Sequence, residues 1–182
     1  LVRPALLASL FGYTLAGASV IFDLGRWWNF WHIFWPGYAQ VNSVMFEVAV
    51  CISAYIVVMW IEFSPTFLEK LGMKDVKQKL NKLLFFFIAL GVLLPSMHQS
   101  SLGSLLVIFG QQIHPLWQSG WMLPVIYLMT AILLGFAVVI FEATLSSTGF
   151  RRQLETNVLA PLAKVMYLTL AAYVVLRVAD VL

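Results

Sequence analysis

The sequence predicts an all-α integral membrane protein with about five transmembrane helices, and three observations lead to this fold class. Hydrophobic residues form 62% of the 182-residue chain and charged residues only 10%, and the mean hydropathy is +0.91. Five apolar runs are long enough to cross a bilayer core, which takes about 20 residues of helix. No ten-residue pattern of alternating polarity recurs, so helices rather than strands are expected.

The five predicted spans follow one another in chain order. They cover residues 4–24, 41–63, 83–109, 121–145 and 160–182. The strongly charged stretch 64–82 mixes apolar residues with lysines, as in an amphipathic loop on the membrane surface. We treat 1–182 as a single transmembrane helical unit. Because the chain starts at Leu1 and both ends look cut, we expect a fragment of a longer protein.

The distribution of positive charge predicts the orientation. Nine of the 11 lysine and arginine residues lie on the side of the first residue, and only Arg26 and Arg177 lie on the other. The positive-inside rule therefore places the N-terminus and the loops 64–82 and 146–159 in the cytoplasm. The excess positive charge is a topology signal, so no nucleic-acid partner is predicted. The outer connections carry tryptophans that suit an interfacial belt in the lipid bilayer: Trp27, Trp28, Trp31, Trp35, Trp117 and Trp121.

Ionisable residues inside a span are costly to bury and indicate a functional site by default. Glu47 is expected about two turns into the second span, and His98 in the outer half of the third. Pro95 predicts a kink or break just before His98, because proline cannot donate a backbone hydrogen bond. The alternative is a capping turn in which serines satisfy the freed backbone. Cys51 is expected to be a small buried apolar residue.

Polar residues on three helices are predicted to converge at similar depth near the outer face. Such a cluster in an apolar wall suits a quinone, whose head needs hydrogen bonds and a proton source. The predicted quinone-binding residues are Asp23, Arg26, Asn42, Glu47, His98 and Gln99. His98 would supply the proton and Glu47 would relay it, so these two are the predicted catalytic residues. A local ion pair is the alternative for Asp23 and Arg26.

Farther inward, Tyr13, Tyr55 and Glu142 are predicted to line a proton path towards the cytoplasm, although Glu142 could instead pair with Arg151 or Arg152. Glu62 could join this path, but an interfacial position near lysines is favoured for it. His32 and His114 are expected to be surface histidines.

The sequence predicts no metal site. A membrane haem usually needs two axial histidines, and only His98 lies within a span. One cysteine can hold neither an iron–sulfur cluster nor zinc. Neither haem nor an iron–sulfur cluster is therefore expected in this chain.

Three blocks carry a family resemblance. The stretch DLGRWWNFWHIFWPGYAQVNSVMFEV, residues 23–48, resembles the D-x-G-R…F-W…S-x-M-x-x-E signature of the NrfD/polysulfide-reductase membrane-subunit family. LPSMHQSSLGSL (94–105) and HPLWQSGWMLP (114–124) are similar to its next two blocks. The matching positions are Asp23, Arg26, Glu47, His98 and Gln99.

The resemblance implies a haem-free, quinone-reactive subunit of the bacterial inner membrane, built of two four-helix bundles plus extra spans. It implies electrons from the large and small subunits of a periplasmic nickel–iron hydrogenase, passed through a ferredoxin-like iron–sulfur subunit to menaquinone, with proton translocation as a further expectation. Two alternatives stay open: an ion-translocating transporter subunit, and a purely structural membrane anchor. Transporters commonly contain repeats or paired broken helices, and only one broken span is predicted here.

Overall fold

The structure, a computed structural model, describes residues 2–118, 120, 122–151 and 153–181. Trp121 and Arg152, which the sequence placed in the aromatic belt and a cytoplasmic loop, lie outside the described residues. The described part is helical and contains no strand. Its long helices are α1 (Val2–Asp23), α2 (Val44–Lys70), α3 (Lys74–Ile108), α4 (Leu123–Gly149) and α5 (Thr156–Val181). All five are long and apolar enough to cross a membrane, so the predicted all-α, multi-pass membrane fold is confirmed.

The charged segment 64–82 is not a separate loop, contrary to the prediction. Its first residues form the last turns of α2, and its last residues form the first turns of α3. The chain turns at Gly72, whose φ of +73° is left-handed, and whose N–H donates to the carbonyl of Glu69. The prediction took the start of the charged residues as the end of the helix. Charged side chains do not end a helix, whereas a glycine in the left-handed conformation does. The cytoplasmic location of this segment stays a prediction.

Helix α3 runs through Pro95 without a break, so the predicted break is wrong. Pro95 removes one backbone donor, and membrane helices tolerate such a loss when nearby serines and neighbouring helices compensate. Here the hydroxyl groups of Ser96 and Ser104 donate to the carbonyls of Val92 and Ser100, at 2.7 and 3.2 Å. The carbonyl that Pro95 leaves without its N–H donor is that of Gly91, and neither serine bonds to it, so the capping turn of the alternative interpretation is not observed here.

Backbone contacts divide the chain into two compact units, an N-terminal unit from Val2 to His98 and a C-terminal unit that begins at Gln99. In the N-terminal unit, α1 packs along α2 around the buried side chains of Leu10, Met59 and Phe63. In the C-terminal unit, α4 packs along α5. That 1–182 forms a single transmembrane unit stays a prediction.

Ion pairs connect the termini of three helices at one end of the N-terminal unit. Glu69, near the end of α2, lies 3.1 Å from the Arg3 guanidinium and 3.2 Å from the Lys77 ammonium. The start of α1, the end of α2 and the start of α3 therefore share one end, as the charge count requires. Which side of the membrane that end faces stays a prediction.

Candidate functional site

His98 is a buried polar side chain of the N-terminal unit, only 4% exposed. Its Nδ1 atom lies 3.2 Å from the carbonyl oxygen of Leu94, one turn earlier on α3. A carbonyl can only accept, so this hydrogen bond requires the proton on Nδ1. The neutral ring then carries its lone pair on Nε2. The local helix geometry thus leaves Nε2 as the atom that can exchange a proton or bind a ligand.

Two tyrosines from two other helices complete a cluster around His98. The Tyr13 ring on α1 lies edge-on to the His98 ring, with centroids 6.0 Å apart. On α2, Tyr55 meets Tyr13 in the same edge-on way at 4.6 Å. The structure therefore brings together three predicted site residues, which we call the Tyr–Tyr–His cluster (Tyr13, Tyr55 and His98). Their predicted roles stay predictions.

An apolar cavity of about 450 Å³ lies within the N-terminal unit, between α1, α2 and the short 3-10 helix Trp27–Ile33. This volume is in the range of pockets that hold small organic ligands. The cavity is lined by Tyr13, Thr14, Ala16, Gly17, Ala18, Val20, Ile21, Leu24, Phe30, Ile33, Phe34, Ala49, Ile52, Ser53 and Ile56. Tyr13 thus belongs to both the cavity and the Tyr–Tyr–His cluster.

None of the six predicted quinone-binding residues is among those that line this cavity. Asp23, Arg26 and Asn42 are exposed on the described chain, and Gln99 is half-buried. Helix α1 ends at Asp23 and the backbone turns at Gly25, with a φ of +69°. Arg26 therefore does not continue the helix, and no ion pair between it and Asp23 occurs among the described residues. The predicted convergence of this set stays a prediction.

Glu47 lies nearer a helix end than the sequence suggested. Helix α2 begins at Val44, and the Ser43 hydroxyl caps it by accepting the N–H of Phe46 at 3.4 Å. Glu47 is therefore in the first turn, and exposed, rather than two turns into a span. A negative side chain in the first turn of a helix is stabilised by the helix dipole. Glu47 can therefore have a structural role that its position in the sequence did not indicate. Its predicted proximity to His98 stays a prediction.

Glu62 is the site residue that the sequence reasoning underestimated. Its Oε1 atom is buried and finds no hydrogen-bond partner in the part of the chain that the structure describes. The oxygen lies against Gly91 of α3, where an added Cβ would collide with it. A signal was present in the sequence, because Glu62 follows Tyr55 by seven residues and so shares its helix face.

Glu142, the last predicted proton-path residue, is half-buried on α4 of the C-terminal unit. Within the described ranges, no ion pair joins it to Arg151. His32, expected at the surface, stacks on Tyr38 with ring centroids 4.2 Å apart. His32 is therefore half-buried rather than fully exposed.

Comparison with known proteins finds similar sequences. A chain of Escherichia coli, named a probable Ni/Fe-hydrogenase 2 b-type cytochrome subunit, is 50% identical over 100% of this chain and 47% of its own length. A protein of Nitratidesulfovibrio vulgaris is 33% identical over 99% of this chain and 48% of its own. A second one, named the integral membrane subunit of a menaquinone reductase, is 25% identical over 99% and 45%. No family model and no solved structure matches.

The chain spans about half the length of the curated relatives that it matches. The first relative's name corrects two expectations. It describes a b-type cytochrome subunit, which contradicts both the haem-free subunit and the placement in the NrfD/polysulfide-reductase family. The expectation of no haem rested on the histidines of this segment alone. The residues that hold a haem can come from distant parts of a longer chain.

Proposed function

We propose that this chain is part of the membrane subunit of a nickel–iron hydrogenase complex and carries part of the site where electrons reach menaquinone. The names of the 50% and 25% identical relatives support the complex and the quinone, respectively. The observation that carries the proposal is the position of Tyr13, which joins an apolar cavity to a buried histidine. A quinone needs this pairing, because its tail is apolar and its reduced oxygens take up protons.

The chemistry follows from the residues of the cluster. The Tyr13 hydroxyl can donate a hydrogen bond to a quinone oxygen in the cavity, and Tyr55 packs behind it. His98 keeps its Nδ1 proton for the Leu94 carbonyl, so Nε2 is the atom that delivers and regains a proton. Reduction of one quinone consumes two electrons and two protons. The electrons would come from hydrogen through an iron–sulfur subunit, and the protons would pass through the cluster.

His98 would hold, through its Nε2 atom, the haem b that the b-type cytochrome name of the relative implies. A metal-ligating histidine typically donates its other ring N–H to a carbonyl, as His98 does to Leu94. When bound, the haem supplies one-electron transfer. In the described ranges, no group of three or more histidine, cysteine, aspartate or glutamate side chains could hold a metal ion.

Proton delivery and haem ligation by His98 exclude each other, because both use Nε2. The reduced-minus-oxidised haem spectrum of a His98→Ala complex distinguishes them. Loss or change of the haem signal would assign His98 to the iron. An unchanged spectrum with slowed quinone reduction would assign it to proton transfer.

Replacing Tyr13 by phenylalanine tests the proposed quinone contact. The ring and its packing against Tyr55 remain, while the hydroxyl is lost. We expect hydrogen-driven menaquinone reduction to slow about tenfold, since a lost hydrogen bond at a reacting group costs about 1–3 kcal/mol. Tyr167→Phe is the matched control, because Tyr167 on α5 is 70% exposed. Wild-type turnover of the Tyr13→Phe complex would contradict this role.

Replacing Glu142 by glutamine tests the predicted proton path. If protons reach the quinone from the cytoplasm while electrons arrive from outside, turnover separates charge, at about 2.3 kcal/mol per charge per 100 mV. We expect Glu142→Gln to slow turnover and abolish the membrane potential in proteoliposomes, with quinone affinity unchanged. A variant that still builds the full potential would leave the alternative, a surface pairing with the cytoplasmic arginines, as the better account.

A further inference from the structure

Glu62 has a buried carboxyl oxygen for which the described chain offers no hydrogen-bond donor. An ionised carboxylate is disfavoured in this position, because its buried oxygen has neither water nor a donor to stabilise the charge. A protonated carboxyl avoids that cost. It also changes the hydrogen-bonding capacity of the side chain, because a carboxylic acid has an O–H donor and a carboxylate has none.

The residue packed against the Glu62 carboxyl group is Gly91. Glu62 Oε1 lies directly against Gly91, whose missing side chain leaves the space for the carboxyl group. In a helix, the carbonyl of Gly91 would accept the N–H of the residue four positions later, but that residue is Pro95, which has none. A protonated Glu62 therefore lies beside the one residue whose carbonyl is freed by the proline. A protonated Glu62 has an O–H that can donate to this freed carbonyl, whereas a carboxylate has no donor.

The position of Glu62 connects this contact to the Tyr–Tyr–His cluster. Glu62 and Tyr55 are seven residues apart on α2, and Gly91 and His98 are seven residues apart on α3. Two helical turns bring residues back to the same face, about 10 Å along the axis. The Glu62–Gly91 contact therefore lies about two turns from Tyr55 along α2 and about two turns from His98 along α3. Two further turns along α2, Glu69 pairs with Arg3 and Lys77 at the charged end of the unit.

We propose that Glu62 is a carboxylic acid in the resting protein, hydrogen-bonded to the Gly91 carbonyl, and that it donates its proton towards Tyr55 when the cluster loses one to a quinone. Glu62 becomes a carboxylate in this step, and the cluster regains the proton it gave up. A proton that enters from the charged end of the unit converts Glu62 back to the acid. Every step is a proton transfer, and no electron is involved. The proton transfer towards Tyr55 rests on the proposed function. The protonation of Glu62 does not, because it is independent of the quinone.

Infrared difference spectroscopy of the complete complex, as the spectrum in H₂O minus the spectrum in D₂O, tests the protonation independently of quinone reduction. We expect a protonated-carboxyl C=O band that shifts in D₂O and disappears in Glu62→Gln. Pro95→Ala restores the N–H donor to Gly91 and should shift the same band, because the acid then loses its free acceptor. Glu69→Gln is the matched control on the same helix face, and its exposed, ion-paired carboxylate should leave the band unchanged.

Turnover tests the transfer. We expect Glu62→Gln to slow hydrogen-driven menaquinone reduction about tenfold and to lower the membrane potential in proteoliposomes, while hydrogen oxidation with a viologen dye and the turnover of Glu69→Gln stay at wild-type values. A C=O band that persists in Glu62→Gln, or that Pro95→Ala does not move, overturns the assignment of the proton. Wild-type turnover of Glu62→Gln overturns the transfer. If the proposed function itself fails, the unmodified complex shows no quinone reduction, whereas the infrared result still decides the protonation.

Discussion

His98→Ala is expected to slow hydrogen-driven menaquinone reduction by about 100-fold or more, since a positioned proton donor typically contributes about 10²–10⁴-fold. His98 is the buried polar residue of the cluster, and no other described histidine lies in a membrane-length helix. The substitution removes the Nε2 atom, whichever of its two roles applies. Hydrogen oxidation with a viologen dye should stay unchanged, because the dye takes electrons before they reach the membrane subunit.

His32→Ala is the matched control, because its ring packs on Tyr38 in the connection between α1 and α2. This variant should reduce menaquinone at the wild-type rate. Glu47→Gln tests the second predicted catalytic residue in the same assay. Slowed turnover would support a role beyond its stabilising position in the first turn of α2. Normal quinone turnover in both His98→Ala and Glu47→Gln would make the two residues structural and contradict the proposed site.

Gly103→Ala is expected to destabilise the C-terminal unit strongly. A Cβ atom on Gly103 of α3 would lie 2.5 Å from the Cα atom of Pro124, 3.0 Å from its nitrogen and 3.1 Å from the carbonyl oxygen of Leu123. All three are backbone atoms at the start of α4, so no side chain can rotate away and the helix itself must shift. Overpacking of this kind costs about 1–3 kcal/mol or more. We expect a lower melting temperature and a lower yield of assembled complex in membranes.

Gly135→Ala provides the control for this effect. Gly135 lies in α4, and nothing lies within 4 Å of the position of its added Cβ atom. Alanine is favoured over glycine in a helix by about 1 kcal/mol, so this variant should melt at or slightly above the wild-type temperature. If Gly103→Ala has the same melting temperature as Gly135→Ala and the unmodified protein, the close approach of α3 to α4 is not a determinant of stability.

The polar residues show where prediction from sequence stopped. The seven-residue spacings that link Tyr55 to Glu62 and Gly91 to His98 are readable in the sequence. They do not tell which helix faces which, so Glu62 seemed an ordinary interfacial residue. Pro95 was expected to kink or break its helix because proline removes a backbone donor, but α3 continues through it. Glu47 seemed deep because the apolar run begins before Val44, where α2 starts.

The sequence by itself determined the membrane class, the number of long helices and the shared end of their charges, because bilayer thickness and the cost of burying charge act on each segment alone. The bounds of α2 and α3, the burial of His98 and the meeting of Tyr13 with Tyr55 depended on the tertiary structure. The physical reason is that an apolar helix in lipid has no preferred face of its own. Only packing between helices decides which side chains meet and which polar atoms lose their partners.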